Sequence, residues 1–149
     1  MRWDEVSPSE RSPGSSDWIL PAARNKVKQD LIRPLSAKAR AVLAGVPRVG
    51  EFVFKPIPSF WSMKCELDKR SSVTGWRLHD LRRTGRSLMS LAGVNSDHAE
   101  RCLGHVIGGI RGTYDRHEYH AEKKFALEML AAQIERILDP QDNVVALRP

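Results

Sequence analysis

At 149 residues with 41% hydrophobic side chains, the chain is sized for one domain with its own core. No apolar run approaches the ~20 residues of a membrane helix, and Met1-Arg2-Trp3-Asp4-Glu5 has no apolar leader pattern, so a cytoplasmic protein without membrane contact is expected. Cys65 and Cys102 are too few for a disulfide framework or a zinc knuckle and read as two reduced thiols. The net charge is +6, and residues 21–50 alone carry Arg24, Lys26, Lys28, Arg33, Lys38, Arg40 and Arg48 against Asp30. A basic surface so localised suits a polyanion, because each phosphate contact releases counterions.

In chain order, the turn-rich residues 8–16 connect two short strands. Trp18 to Pro21 reads as a strand and Leu31-Ile32 as its hairpin partner. Ser36 caps a short helix over residues 37–43 that Gly45 ends. Phe52-Val53-Phe54 is a short extended run, and a helix follows from Ser59 to Leu67. Leu78, Leu81, Leu88 and Leu91 repeat at helical spacing, which predicts that they face the core; Gly93 stops that helix. Ser96 caps a further helix to Leu103, with Gly104 as its stop. Ala121 to Leu138 is a long amphipathic helix with Phe125, Leu127, Leu130, Ile134, Ile137 and Leu138 as its expected buried side.

Three islands carry chemistry: His79-Asp80-Leu81-Arg82-Arg83-Thr84, then Leu103-Gly104-His105, then Tyr114, nine residues beyond His105. A phosphodiester under attack gains charge on its non-bridging oxygens, and positioned cations stabilise that charge. Arginine offers a planar fork that binds two such oxygens at once. His79 and Arg82, three apart on a helix, share a face. His105 can donate to a phosphate oxygen or to a tyrosine. A phenol titrates near ~10, so Tyr114 needs its proton accepted or its anion stabilised before it attacks. Tyr119 is the competing phenol. His98, His117, Glu118 and His120 have no spacing that makes a zinc set, so no metal is expected.

These islands, in this order and spacing, resemble the catalytic domain of the tyrosine recombinases, the phage-integrase family. Further stretches match the same family: Met1-Arg2-Trp3-Asp4-Glu5-Val6, Trp18-Ile19-Leu20-Pro21 with Arg24-Asn25-Lys26-Val27-Lys28, and Arg33-Pro34-Leu35-Ser36. The similarity runs from Met1 to about Leu138. It implies an α+β fold, mainly α, with a small N-terminal antiparallel sheet. It implies site-specific DNA recombination through a covalent 3′-phosphotyrosine intermediate, with no cofactor. Tyr114 is then the nucleophile, His79 and Arg82 hold the scissile phosphate, and His105 supports the transfer. Lys26, on the hairpin, protonates the leaving oxygen, with Lys28 its neighbouring alternative. Arg24, Lys26, Lys28 and Arg33 complete the DNA-binding set; Arg86, one turn past Arg82, has no role in the family pattern and is a candidate for a neighbouring phosphate, with a solvated face the preferred reading.

Family members carry another arginine on a helix, box I, just before the segment that begins here at Met1, and an N-terminal DNA-binding domain before that. Residues 1–138 are therefore expected to be a partial catalytic domain and 139–149 a flexible tail, with activity impaired. The implied partners are double-stranded DNA and other recombinase protomers in a DNA-bound complex, and a monomer is expected without DNA. The alternative is an inactive DNA-binding remnant or an accessory binder of an intact recombinase.

Overall fold

The computed structural model describes residues 1–11, 13–55, 59–105 and 117–140. These form an α+β arrangement of a three-stranded antiparallel sheet and five α-helices. After a 3-10 turn at Trp3–Glu5 come β1 (Val6–Pro8), β2 (Ser16–Leu20) and β3 (Leu31–Leu35), paired in the order β1-β2-β3. Val6 faces Trp18 across the first pair and Trp18 faces Arg33 across the second, so Trp18 bridges the sheet laterally. The 22–30 turn closes on itself: Asp30 Oδ1 accepts from the Ala22 amide at 2.6 Å, and the Asn25 side chain donates to the Gln29 carbonyl at 2.6 Å.

The helices are α1 (Ala37–Ala44), α2 (Phe60–Ser71), α3 (Leu78–Leu91), α4 (Ser96–Leu103) and α5 (His120–Leu138). Their starts follow the sequence. Ser36 Oγ accepts from the Ala39 amide, and Ser59 Oγ from the Ser62 amide. At α3 the Asp80 carboxylate accepts from the Arg77 amide at 2.9 Å. The cap of α4 is Asn95, one residue earlier than expected, with Oδ1 accepting from the Asp97 amide. Gly93 and Gly104 stop α3 and α4 at φ +76° and +74°, a region glycine enters without strain.

α5 lies against β3, α3 and α4 and unites the sheet with the helical half. The core at that junction is built from small and flexible side chains: Met89, Val94, Ala99, Cys102 and Ala126, with Ala92, Leu127, Met129 and Leu130 packed around them. This corrects the leucine stripes. Leu81 is 61% and Leu91 71% exposed, while Met89 on the adjoining face of α3 is 2% exposed. Along α5, Phe125, Ile134, Ile137 and Leu138 are exposed, and the buried positions are His120, Lys123 and Ala126. Close approach of α3, α4 and α5 selects small residues at the contact; the large apolar side chains lie beyond it. α2 stands apart, with Phe60, Trp61, Met63 and Leu67 exposed and at most marginal packing on other described elements.

One buried polar cluster fastens β2 to the start of α5. Asp17 is 1% exposed, accepts from Ser9 Oγ at 2.8 Å, and lies 2.9 Å from His120 Nε2. The serine hydroxyl donates to the carboxylate, and its oxygen also lies 3.4 Å from His120 Nε2, so the three side chains tie the β1–β2 connection and β2 to α5.

Candidate functional site

Arg82 and His105 come together at the C-terminal end of α4. Arg82 Nη2 donates to the Leu103 carbonyl at 2.5 Å, which sets the guanidinium two residues before His105. Gly104, between them, turns the chain out of α4. His105 is half-exposed, and its Nδ1 contacts the Glu100 carboxylate one turn back on α4. Arg86, one turn after Arg82 on α3, binds the other oxygen of Glu100 at 2.7 Å and also donates to Ser90 and Ser96 at 2.5 and 2.7 Å. The Arg86 fork therefore joins α3 to α4, and Glu100 is shared between it and His105. Hydrogen bonds from Arg86 and His105 hold the Glu100 carboxyl below its ordinary range.

Arg33 reaches the same helix end from the sheet. Its Nε donates to the Cys102 carbonyl at 3.0 Å, and its guanidinium carbon lies 5.1 Å from the Trp18 ring centre. Behind it, the buried Lys123 of α5 donates to the Ile32 carbonyl at 2.9 Å. Burial lowers the pKa of both cations. Burial also pushes the Cys102 thiol up to about 11, although Arg33 and Lys123 pull it the other way.

The remaining sequence candidates are placed elsewhere. His79 is exposed on the first turn of α3, on the helix that carries Arg82. Lys26 and Lys28 stand exposed on the β2–β3 turn, Lys28 in the left-handed region at φ 54°. Among the described residues no hydrogen bond or ion pair joins either lysine to Arg82 or His105. Arg24 is held by Glu5, which also accepts from the Arg2 amide at 2.8 Å and from the Trp18 indole at 3.2 Å. Burial raises the Glu5 pKa, but these three donors together bring it below the ordinary value. Tyr114 lies outside the described residues.

Tyr119 immediately precedes α5, at φ 52°. Its ring is packed against His117 at 4.6 Å and His98 at 5.8 Å, with the Arg101 guanidinium 3.8 Å from its centre. No group of three metal-ligating side chains occurs among the described residues, and no described helix is long and apolar enough to cross a membrane. Sequence reasoning treated Arg33 as an outer DNA contact and missed Glu100 and Lys123. The pairing of Trp18 with Arg33 across the hairpin was the available signal for the first; no local signal marks the other two.

Within an α+β fold, arginine and histidine are thus gathered at one helix end. The chain is similar to prophage integrase IntA of Escherichia coli strain K12, with 32% identity over 133 residues, covering 83% of this chain and 31% of that protein. It thus spans about a third of the length of the curated relative it matches. No family model and no solved structure matches.

Proposed function

We propose that this chain is the catalytic portion of a tyrosine recombinase that cuts and rejoins duplex DNA through a covalent phosphotyrosine bond, in the service of prophage integration or excision. One observation carries the reading: the His79-to-Thr84 island and the Leu103-Gly104-His105 island meet in space, through the bond from Arg82 to the Leu103 carbonyl. Tyr114 then follows His105 by nine residues, and the similarity to a prophage integrase points the same way.

In this mechanism Arg82 neutralises a non-bridging oxygen of the scissile phosphate while the Tyr114 oxygen attacks phosphorus. The attack forms the tyrosyl–phosphate bond, releases the phenol proton to water, and breaks the bond from phosphorus to the 5′ oxygen of the departing strand. Lys26 delivers a proton to that oxygen, with Lys28 as the alternative. His79 and His105 donate to phosphate oxygens, and Glu100 orients the His105 ring. Arg24, Lys28 and Arg33 extend the positive surface along the DNA. Arg86 acts chiefly by fixing α3 on α4. Double-stranded DNA is the partner, with further protomers joining on DNA.

The chain spans about a third of its relative, so the test supplies the rest. The chain is fused behind the preceding portion of the prophage integrase and incubated with a labelled duplex nicked near the cleavage point. A denaturing gel should show a protein–DNA adduct that Tyr114→Phe abolishes. An adduct that survives Tyr114→Phe, or no adduct from the unaltered fusion, contradicts the proposal.

A further inference from the structure

Two guanidinium groups from different halves of the fold close on consecutive carbonyls at one helix end. Arg33 of β3 takes Cys102 through Nε, and Arg82 of α3 takes Leu103 through Nη2. Gly104, without a side chain, follows the second of these carbonyls, and Arg33 Nη2 is 3.9 Å from where a Cβ on Gly104 would lie. The negative end of the α4 dipole offsets part of this charge. Among the described residues, Glu100 is committed to Arg86 and His105, Asp80 to Arg77 and Arg83, Glu5 to Arg24, and Asp17 to His120 and Ser9. Lys123 adds a third cation behind Arg33, its ammonium on Ile32.

We infer that Arg33 and Arg82 form a two-armed receptor for one tetrahedral oxyanion, with the Gly104 backbone as its floor, and that the resident oxyanion is a DNA phosphate. Three features single out Arg33 within the basic stretch. It is the cation of residues 21–50 that reaches the Arg82–His105 junction. Its guanidinium carbon lies over the Trp18 ring, a contact that reduces the entropy lost when the fork engages a ligand. Its bond to Cys102 uses Nε and leaves the terminal nitrogens of the fork toward Gly104. Among the described residues no carboxylate is bonded to Arg33 or Arg82, whose forks rest on consecutive carbonyls, so a bound anion would stabilise both. Burial and the neighbouring Arg82 charge both lower the Arg33 pKa, as such crowding requires. The assignment of the oxyanion to DNA rests on the recombinase reading; the receptor itself does not.

The test uses the whole chain, without DNA cleavage. Arginine Nε–H resonances are followed by NMR during titration with inorganic phosphate, with chloride adjusted to hold ionic strength constant. The Arg33 and Arg82 signals should move along one saturating curve, while those of Arg11 and Arg70, paired with Glu118 and Glu66, stay fixed. Arg82→Lys should weaken the Arg33 curve, and Arg33→Lys the Arg82 curve, each by about tenfold, as loss of one charge-assisted fork contact requires. An Arg33 signal that stays flat while Arg82 saturates, or two signals with unrelated midpoints, overturns the receptor, and so does the absence of saturation. Tyr114→Phe should leave both curves unchanged. The receptor can therefore fail with the phosphotyrosine chemistry intact, or stand with that chemistry absent.

Discussion

Single side chains in this protein owe their behaviour to partners far away in sequence. Cys102 is buried at the end of α4 with its thiol pushed up to about 11, whereas Cys65 on α2 is partly exposed. Thiolate is the reactive form, so iodoacetamide at pH 8 should modify Cys65 and leave Cys102 intact until the chain is unfolded, as read by peptide mass spectrometry. Glu5 and Glu100 have folded pKa values below the ordinary carboxylate range. Their contribution to stability is therefore complete above the unfolded value of about 4.3 and is lost as pH falls through the lower folded values. Thermal unfolding followed from pH 7 to pH 3 should show that acid loss, and Glu5→Gln or Glu100→Gln should flatten it. Little of this was legible in the sequence. Glu5 gave no sign of meeting Arg24, nor Asp17 of meeting His120, because a charged residue advertises its charge but not its partner.

Helix and strand positions were far more legible, because caps, stops and turns are written locally. Ser36, Ser59, Gly93 and Gly104 mark real boundaries. The faces were harder to read. Hydrophobic periodicity counts large side chains, and on α3 and α5 many of these lie outside the close three-helix contact, where Met89, Ala99, Cys102 and Ala126 do the filling. Met89→Ala should accordingly cost about 2–5 kcal/mol, the range for emptying a buried site of that size, whereas Leu81→Ala should change stability little; urea unfolding measures both. Gly104→Ala should also destabilise, by roughly 1–2 kcal/mol, because a Cβ must accept a left-handed backbone. It would also meet Leu31 Cδ2 at 3.2 Å. If Gly104→Ala is neutral, the turn out of α4 is less constrained than its φ of +74° indicates.

At the scale of the whole molecule, the charge of residues 21–50 divides into an inner and an outer part. Arg33 is folded into the junction of sheet and helices, while Lys26 and Lys28 project from the hairpin turn. Duplex DNA binding should weaken with salt, and Lys26→Glu with Lys28→Glu should reduce the slope of log affinity against log salt by about one per lost phosphate contact. An unchanged slope would place the DNA on another face. The islands that suggested the site were legible because their spacing survives in one dimension. That Arg82 and His105 share a helix end, and that Arg33 joins them from the sheet, emerges only in three dimensions.

Most directly, the chemistry is decided by where DNA becomes attached. The chain holds two tyrosines, and trypsin separates them, leaving Tyr114 on residues 112–116 and Tyr119 on the segment that follows. The covalent product of the fused protein is digested with nuclease and trypsin, and the nucleotide-bearing peptide is sequenced by mass spectrometry. The phosphotyrosine mechanism requires a nucleotide on Tyr114, with Tyr119 unmodified in its packed setting of His98, Arg101 and His117. A nucleotide found on Tyr119, or on any residue other than Tyr114, would contradict it.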